Sequence, residues 1–226
     1  MGQRLLTNAK KILDEILDII YEPEDICPVC LEPFMQEDFL CKNCINEIKY
    51  CNEKVFLTDK KDYFAQSLSY FSGITQRLII NLKYKDDFDA GRFLARLLYL
   101  KYIDLFCEID FLVPAPCSYR SFSKRGYNQS YVICKEIERI TYIKTLDILT
   151  KSNNSKDQIG LSKDERWQNL EKAIGIKKKK LLLKYKRVIF IDDVLTTGAT
   201  SYACAKVLKN NGIEDVIILT LAKKAI

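Results

Sequence analysis

Residues 188 to 200 read Val188-Ile189-Phe190-Ile191-Asp192-Asp193-Val194-Leu195-Thr196-Thr197-Gly198-Ala199-Thr200. This stretch decides the fold class, because four apolar residues precede two acids, a loop of small and hydroxyl residues, and an amphipathic pattern. The order predicts a buried strand over 188–191, a short loop and a helix over 200–210. Backbone N–H groups of such a loop and of the helix N-terminus converge on one point, which favours a phosphate group. We therefore predict that the loop 195–200 binds a phosphate.

The two adjacent acids, Asp192 and Asp193, have a different role in this interpretation. Carboxylates beside a phosphate site would repel the phosphate, so we expect them to bind another part of the ligand, such as vicinal hydroxyls. A sugar phosphate meets both requirements. Strands that end in acids also occur in Walker B motifs and receiver domains, but the loop Thr-Thr-Gly-Ala-Thr that follows makes the pattern more restrictive.

Length and composition limit the remaining possibilities. The chain has 226 residues, enough for one ordinary domain and a small appendage. The formal net charge is +6, and the densest basic run, at 177–180, is interpreted as a solvated loop in preference to a nucleic-acid patch. The sequence contains no histidine, so carboxylates, lysines or the substrate itself would carry out any proton transfer.

The first 22 residues predict an amphipathic helix. Leucine and isoleucine alternate there with charged residues, which are too frequent for a signal peptide or a membrane span. Nine cysteines without an export signal predict a cytoplasmic protein, because thiols in a reducing compartment bind metals or pack in the core.

Two C-x2-C pairs predict a metal site. Cys27 and Cys30 are separated by ten residues from Cys41 and Cys44. Each pair can direct two thiolates to one ion, and four thiolates complete a closed tetrahedral zinc site of the structural kind. The segment is too short to bury a core of its own, so the metal would supply folding energy. Cys51 is a spare thiol that is either buried or replaces one ligand, and a pair of disulfides is the alternative to zinc.

From about residue 60 the sequence alternates strand patterns with helical patterns. Strands are predicted at 67–71, 111–113, 145–149, 188–191 and 215–221, and helices at 74–82, 88–106, 128–141 and 200–210. This alternation predicts βαβ units and an α/β domain with a mostly parallel sheet flanked by helices. Three segments follow: the helix 1–22, a zinc-binding module 23–56 and the α/β domain 57–226. Ligands of such sheets bind beyond the carboxyl ends of the strands, where the loop 195–200 falls.

A second group of candidate residues follows the predicted strand 111–113. Pro114 and Pro116 fix a stiff turn at its carboxyl end, and Arg120, Lys124 and Arg125 follow. Their charges suit a polyanion such as pyrophosphate at that edge of the sheet. An ordinary connection with solvated cations has the same composition, so these residues alone leave both interpretations open.

The segment 188–200 resembles the 5-phosphoribosyl-1-pyrophosphate (PRPP) motif of type I phosphoribosyltransferases at every position. Other blocks resemble the ComF family, the phosphoribosyltransferase-like proteins of DNA uptake in competent bacteria. In chain order these blocks are the cysteine pairs, Tyr70-Phe71-Ser72-Gly73 with Leu82-Lys83-Tyr84, Pro114-Ala115-Pro116 with Arg120 and Arg125-Gly126-Tyr127-Asn128-Gln129, and Gln158-Ile159-Gly160-Leu161-Ser162 with Arg166 and Asn169. They span about residues 25 to 221. Ala115 and Tyr127 depart mildly from the family pattern, which has a branched residue and phenylalanine there.

The resemblance implies a type I phosphoribosyltransferase fold with a small N-terminal zinc-binding module. It assigns the ribose 2′ and 3′ hydroxyls to Asp192 and Asp193. The 5′-phosphate is assigned to Leu195, Thr196, Thr197, Gly198, Ala199 and Thr200. The turn from Val113 to Ser118, with Ala115, Pro116 and Cys117 as its substrate-binding residues, would face the pyrophosphate. Arg120 and Arg125 are further substrate-binding candidates, and the candidate clamps are Lys83 and Arg166, which surface charge would explain equally well. Residues 150–169 would form a mobile loop over the site.

The implied activity is displacement of pyrophosphate from C1 of ribose, with magnesium bound to PRPP and an acceptor that the sequence does not identify. The implied biology is DNA uptake during natural transformation. The alternative is a non-catalytic protein that senses PRPP or binds single-stranded DNA, in contact with proteins of the DNA-uptake machinery. Fold alone does not choose between these two. A purely structural zinc protein would leave the Asp-Asp pair and its loop unexplained.

Overall fold

The computed structural model describes residues 25–34, 39–58, 62–152, 172–177 and 186–224. The chain divides into two compact units, Met1–Asn46 and Glu47–Ile226. The predicted helix 1–22 and Arg166 lie outside the described residues, and so does most of the predicted loop 150–169. In the smaller unit, strands β1 (Asp25–Ile26) and β2 (Pro33–Phe34) pair in antiparallel fashion, and helix α1 covers Lys42–Asn46.

A mostly parallel five-stranded sheet forms the centre of the larger unit. Its strands are β3 (Lys54–Phe56), β4 (Phe64–Tyr70), β5 (Phe111–Pro114), β8 (Arg187–Leu195) and β9 (Asp215–Lys223), in the spatial order β3-β4-β9-β8-β5. All neighbours pair in parallel except β3, which is antiparallel to β4. The predicted α/β class, with a mostly parallel sheet, is confirmed.

Helices flank this sheet. They are α2 (Gly73–Tyr84), α3 (Phe88–Lys101), α4 (Tyr119–Arg125), α5 (Gln129–Thr141) and α6 (Ala199–Lys209). The four predicted helices are confirmed, with one difference at the end of α3. There the chain leaves the α-helix at Tyr102 and continues as a 3-10 turn over Ile103–Phe106. Helix α4 was not predicted, because none of its side chains is buried and its sequence therefore has no apolar period.

The predicted strand 145–149 is wrong. Only Thr145 forms a bridge, a parallel one with Leu112 at the edge of β5, and the chain then turns away. The strand in this region is β6 (Leu149–Lys151), which pairs in antiparallel fashion with β7 (Ile174–Ile176) in a separate ribbon. Thr150 and Lys151 therefore belong to a strand and not to the start of the predicted loop.

Strand β8 runs four residues farther than predicted. Val188 to Ile191 are fully buried between β5 and β9, as expected for a central strand. Beyond Ile191, Asp192, Val194 and Leu195 continue to pair with β9, whereas β5 has already ended at Pro114. The two acids thus lie within the strand, at a point where one of its edges is open.

The turn after β8 depends on a glycine. Gly198 has a φ of +77°, a left-handed conformation that residues with a side chain rarely adopt. A Cβ atom at this position would lie 2.6 Å from Cδ2 of Leu57, which follows β3 directly. Gly198 therefore allows both the sharp turn into α6 and the close approach of Leu57.

Candidate functional site

A cavity of about 220 Å³ opens where β5 ends and β8 continues. The residues that line it come from the turn after β5, helix α4, the N-terminus of α5, the end of β6, the second half of β8 and the first turn of α6. They are Ala115, Pro116, Cys117, Ser118, Ser121, Arg125, Asn128, Gln129, Ser130, Lys151, Asp192, Asp193 and Thr200. Its position beyond the carboxyl ends of parallel strands is the usual ligand position in sheets of this class.

The carboxyl group of Asp192 forms one wall of the cavity. Its Oδ1 accepts hydrogen bonds from the backbone N–H of Asp193 at 2.8 Å and from Oγ of Ser130 at 3.3 Å. Burial and the neighbouring Asp193 carboxylate raise the pKa of Asp192 to about 7, although the Asp193 N–H and the charges of Lys83 and Lys151 oppose this shift. The carboxyl group of Asp192 therefore changes its protonation state near neutral pH, next to the ion pair of Asp193 and Lys83.

Asp193 is paired with a cation. Nζ of Lys83, in the last turn of α2, lies 2.7 Å from Oδ2 of Asp193, and both side chains are mostly buried. The end of α2 is held near the cavity because the hydroxyl of Tyr127 donates to the carbonyl oxygen of Leu82. The candidate clamp Lys83 is thus at the acidic wall and does not line the cavity itself.

The turn after β5 is fixed from both sides. The N–H of Ala115 donates to the carbonyl oxygen of Ile191 at 2.8 Å, which extends the β5–β8 contact by one bond. Nδ2 of Asn128, the N-cap residue of α5, donates to the carbonyl oxygen of Ala115 at 2.8 Å. Burial raises the pKa of the Cys117 thiol in this turn, which keeps it protonated.

Nitrogen donors also line the cavity. Nη1 of Arg125 donates to Oε1 of Gln129 at 2.7 Å, and the guanidinium lies 5.7 Å from the centre of the Tyr84 ring. Among the residues that the structure describes, Nε of Arg125 and Nε2 of Gln129 are buried without a hydrogen-bond partner. Lys151 lines the same cavity and adds a second cation, whose charge also acts on Asp192. We call Arg125, Gln129 and Lys151 the donor wall, and its charge and its N–H groups suit an anionic group.

The predicted phosphate loop contributes less to the described cavity than expected. Thr196 and Thr197 are exposed, Leu195, Gly198 and Ala199 are buried, and only Thr200 lines the cavity. Helix α6 begins at Ala199, within this predicted loop, so the N–H groups of its first turn are available to an anion there.

The structure brings together seven predicted residues in one cavity: Ala115, Pro116, Cys117, Arg125, Asp192, Asp193 and Thr200. Arg120 is exposed on α4 and does not line the described cavity. Sequence reasoning missed the side-chain contribution of Ser121, Asn128, Gln129, Ser130 and Lys151. Asn128 and Gln129 were visible in the Arg-Gly-Tyr-Asn-Gln block, whereas Lys151 had no local signal.

The oxygen atoms at the acidic wall fit magnesium. Carboxylate and hydroxyl oxygens are the ligands that this ion prefers, and they are available on Asp192, Asp193 and Ser130. The cavity thus offers both oxygen acceptors and nitrogen donors.

The smaller unit contains a second candidate site. The sulfur atoms of Cys27, Cys30, Cys41 and Cys44 all lie within 4.8 Å of one another, and the Cys30 and Cys41 sulfurs are 3.7 Å apart. A tetrahedral ion with Zn–S bonds of about 2.3 Å would separate its sulfur ligands by about 3.8 Å, so the cluster could hold a zinc ion. Burial tends to raise the pKa of Cys27, but N–H groups of Cys30, Cys41 and Val29 outweigh it and lower the pKa to about 6. Cys51 is buried in the larger unit, outside the cluster.

Within the described ranges, none of the helices has the length and the apolar run that a membrane crossing requires.

Comparison with known proteins identifies relatives over most of the chain. Competence protein F of Haemophilus influenzae is 30% identical over 196 residues, which cover 81% of this chain and 84% of that protein. DNA utilization protein YhgH of Escherichia coli K12 is 26% identical, over 88% of this chain and 84% of that protein. Competence protein ComFC of Bacillus subtilis is 25% identical, over 83% of this chain and 72% of that protein. No family model matches the sequence.

Solved structures of similar shape include two proteins named for phosphoribosyl chemistry. Adenine phosphoribosyltransferase of Giardia lamblia, complexed with 9-deazaadenine, has a TM-score of 0.42 and 16% identity, over 80% of this chain and 83% of that chain. Glutamine PRPP amidotransferase of Bacillus subtilis, complexed with ADP and GMP, has a TM-score of 0.42 and 18% identity, over 59% of this chain and 26% of that chain.

The raised pKa of Asp192 predicts a pH-dependent effect of Asp192→Asn. The folded protein holds this proton up to a pH of about 7, whereas the unfolded chain releases it near the ordinary value of 3.8. Wild-type stability therefore falls as the pH rises between these values, and asparagine removes the loss. We expect Asp192→Asn to be more stable than wild type by on the order of 2 kcal/mol at pH 8, with the difference shrinking toward pH 5. Urea unfolding at four pH values measures it.

The matched control is Asp104→Asn, at an exposed carboxyl group away from the cavity. It makes the same chemical change outside the cavity. A difference for Asp192→Asn that is the same at pH 5 and pH 8 would contradict the raised pKa.

Proposed function

This chain belongs to the ComF family of competence proteins, and from that premise we propose that it binds PRPP with magnesium and transfers the phosphoribosyl group to an acceptor during DNA uptake. One observation carries the proposal: the cavity combines two acids with Arg125, Lys151 and unpaired N–H donors. A ligand that matches both sets of groups has hydroxyl groups beside a polyanion. PRPP meets this requirement, because its 2′ and 3′ hydroxyls lie next to the pyrophosphate at C1.

The ribose lies against the acidic wall in this proposal. Asp192 and Asp193 accept hydrogen bonds from the 2′ and 3′ hydroxyls, which suit carboxylates because each hydroxyl has a proton to donate. When the sugar binds, the Asp193 carboxylate accepts a hydrogen bond from a ribose hydroxyl, and its ion pair with Lys83 becomes weaker. The same carboxylates lie near C1, where positive charge develops as the pyrophosphate leaves, and they stabilise that charge.

The pyrophosphate lies at the donor wall in this proposal. Arg125 and Lys151 offset the negative charge that the leaving group gains, and the turn with Ala115, Pro116 and Cys117 shapes its pocket. Magnesium, when bound, supplies Lewis-acid stabilisation of the pyrophosphate oxygens. The 5′-phosphate lies at the loop 195–200, where the N-terminus of the 11-residue helix α6 attracts an anion.

Little general-base chemistry is required if the acceptor is a good nucleophile, which agrees with the absence of histidine from the sequence. The alternative is a protein that binds PRPP as a signal and does not transfer the phosphoribosyl group to any acceptor. Both modes need the acid pair, and therefore binding of PRPP is the property to test first.

Calorimetric titration with PRPP and magnesium tests this function. We expect Asp192→Asn/Asp193→Asn to lower the affinity by about a hundredfold, because several charge-assisted hydrogen bonds to the ribose are lost. The control is Asp86→Asn/Asp87→Asn, which neutralises another adjacent acid pair outside the cavity and keeps a capping residue at the start of α3. Wild-type protein that does not bind PRPP would rule out the proposal.

A structural zinc ion at the four-cysteine cluster is the second part of the proposal. The cluster lies in the unit Met1–Asn46, whose described strands have two residues each and bury little apolar surface. A closed site of four thiolates leaves no position for a substrate, so the ion stabilises the fold. The module boundaries at 22/23 and 56/57 stay predictions.

Zinc content tests the cluster. Native mass measurement should find about one zinc ion per chain in wild type and none in Cys41→Ser/Cys44→Ser, since two thiolates do not complete a tetrahedral site. Cys107→Ser changes an exposed thiol outside the cluster and should keep the metal. Full zinc content in the double variant would contradict this assignment.

Binding of single-stranded DNA is a second candidate function. Helix α4 directly follows the cavity turn and exposes Tyr119 and Phe122 beside Arg120 and Lys124. Exposed rings interleaved with cations are the usual surface for stacked bases and a phosphate backbone. The relatives named for competence and DNA utilization agree with such a role.

Fluorescence anisotropy with a labelled oligonucleotide tests this candidate. We expect Tyr119→Ser/Phe122→Ser to weaken binding at least about tenfold, because each lost base stack is worth about 1–3 kcal/mol. Tyr142→Ser is the control, since Tyr142 is the most exposed of the large side chains described and lies at the far end of α5. Equal binding by all three proteins would exclude α4 as the DNA surface.

A further inference from the structure

The amide of Gln129 is an unexplained feature of the cavity. Gln129 is only 4% exposed, yet its Nε2 has no acceptor among the described residues. Nε of Arg125 is in the same situation, and both residues line the cavity. Buried donors without partners are rare in folded proteins, because their desolvation is not compensated. Two of them at one wall indicate that a ligand supplies the acceptors.

The donors are held in a fixed orientation. Oε1 of Gln129 is occupied by Nη1 of Arg125 at 2.7 Å, so the other end of the amide is left to the ligand. The Tyr84 ring lies 5.7 Å from the same guanidinium. Arg125 and Gln129 together therefore form a rigid pair of donors, which we call the Arg125–Gln129 fork.

The residues on either side of Gln129 connect this fork to the rest of the cavity. Asn128 donates to the carbonyl oxygen of Ala115, and Ser130 donates to Asp192. At the start of α5, Asn128 therefore contacts the turn, Gln129 forms the fork with Arg125, and Ser130 contacts the acidic wall. The distance between the donors and the acids is set by this helix and not by a loop.

The chemistry of the fork selects the group that binds there. Its two free groups only donate, so the matching ligand group has acceptors and no protons to give at neutral pH. The second cation of the donor wall, Lys151, adds positive charge. In the proposed function the 5′-phosphate binds at the start of α6, so the fork is left for the other anionic group of the ligand. That group is a diphosphate, which has acceptor oxygens for both donors.

We propose that the Arg125–Gln129 fork binds the pyrophosphate group and that Gln129 determines the preference for a 1-pyrophosphorylated sugar over the sugar monophosphate. This rests on the proposed function. Gln129 acts by direct contact with the non-bridging oxygens, and Arg125 both contacts them and orients the amide.

Two substitutions at one position test the proposal. Gln129→Met keeps the length of the side chain and removes the donor, whereas Gln129→Glu keeps the pairing with Arg125 and presents a negative charge to the ligand. Gln76→Met is the matched control, because it makes the same change on α2 outside the cavity. Calorimetry with magnesium and PRPP, inorganic pyrophosphate or ribose 5-phosphate gives the affinities, and thermal unfolding without ligand gives the melting temperature.

We expect Gln129→Met to bind PRPP and pyrophosphate at least about tenfold more weakly, the equivalent of a hydrogen bond to a charged group. Its affinity for ribose 5-phosphate should stay within about threefold of wild type. Gln129→Glu should lose more affinity for both diphosphates. The melting temperature of Gln129→Met should stay within about 5 °C of wild type, because the removal of an unsatisfied buried donor and the loss of the acceptor for Nη1 of Arg125 act in opposite directions.

Several outcomes would overturn the inference. One is unchanged affinity of both variants for PRPP, and another is an equal loss for ribose 5-phosphate. Failure of both variants to fold would assign Gln129 a structural role. Wild-type protein that binds neither PRPP nor pyrophosphate would remove the proposed function itself, whereas normal wild-type binding with insensitive Gln129 variants would remove only the fork.

Discussion

Two carboxyl groups side by side in a buried strand are the constraint on which the site depends. Burial and mutual repulsion disfavour the charged pair, and the raised pKa of Asp192 is the consequence. The surroundings offset part of this cost: Lys83 pairs with Asp193, and the Asp193 N–H and Ser130 donate to Asp192. A core strand optimised for stability alone would carry apolar residues here, so this arrangement indicates a binding role.

The site forms because strand β5 ends before its neighbour β8. The pairing of β5 with β8 ends at Pro114, apart from one further bond from the Ala115 N–H to Ile191, while β8 proceeds along β9 to Leu195. The edge that β5 leaves open is closed by the turn after it and by the N-terminus of α5. Residues that are far apart in sequence, such as Lys83, Gln129 and Asp193, therefore meet at one edge of the sheet.

Much of this could be predicted from sequence, and the exceptions have physical causes. The pattern from Val188 to Thr200 gave a strand, loop and helix because its apolar period and its glycine are local signals. Lys151 was missed because β6 forms only by pairing with residues over twenty positions away. Gln129 was missed because a polar residue at a helix start is normally exposed, and only tertiary packing buries it. The extension of β8 was missed because two acids usually end a strand.

The close approach of Leu57 to Gly198 has a consequence for how the turn into α6 can be varied. Two constraints act on position 198, and they are independent. The contact with Leu57 involves the far end of a flexible side chain, so a rotation of Leu57 or a smaller residue at 57 would relieve it. The φ of +77° would remain, and any side chain at 198 would be strained even in an enlarged space. Residue 57 can therefore be exchanged without a change at 198, whereas position 198 requires glycine for the backbone conformation itself.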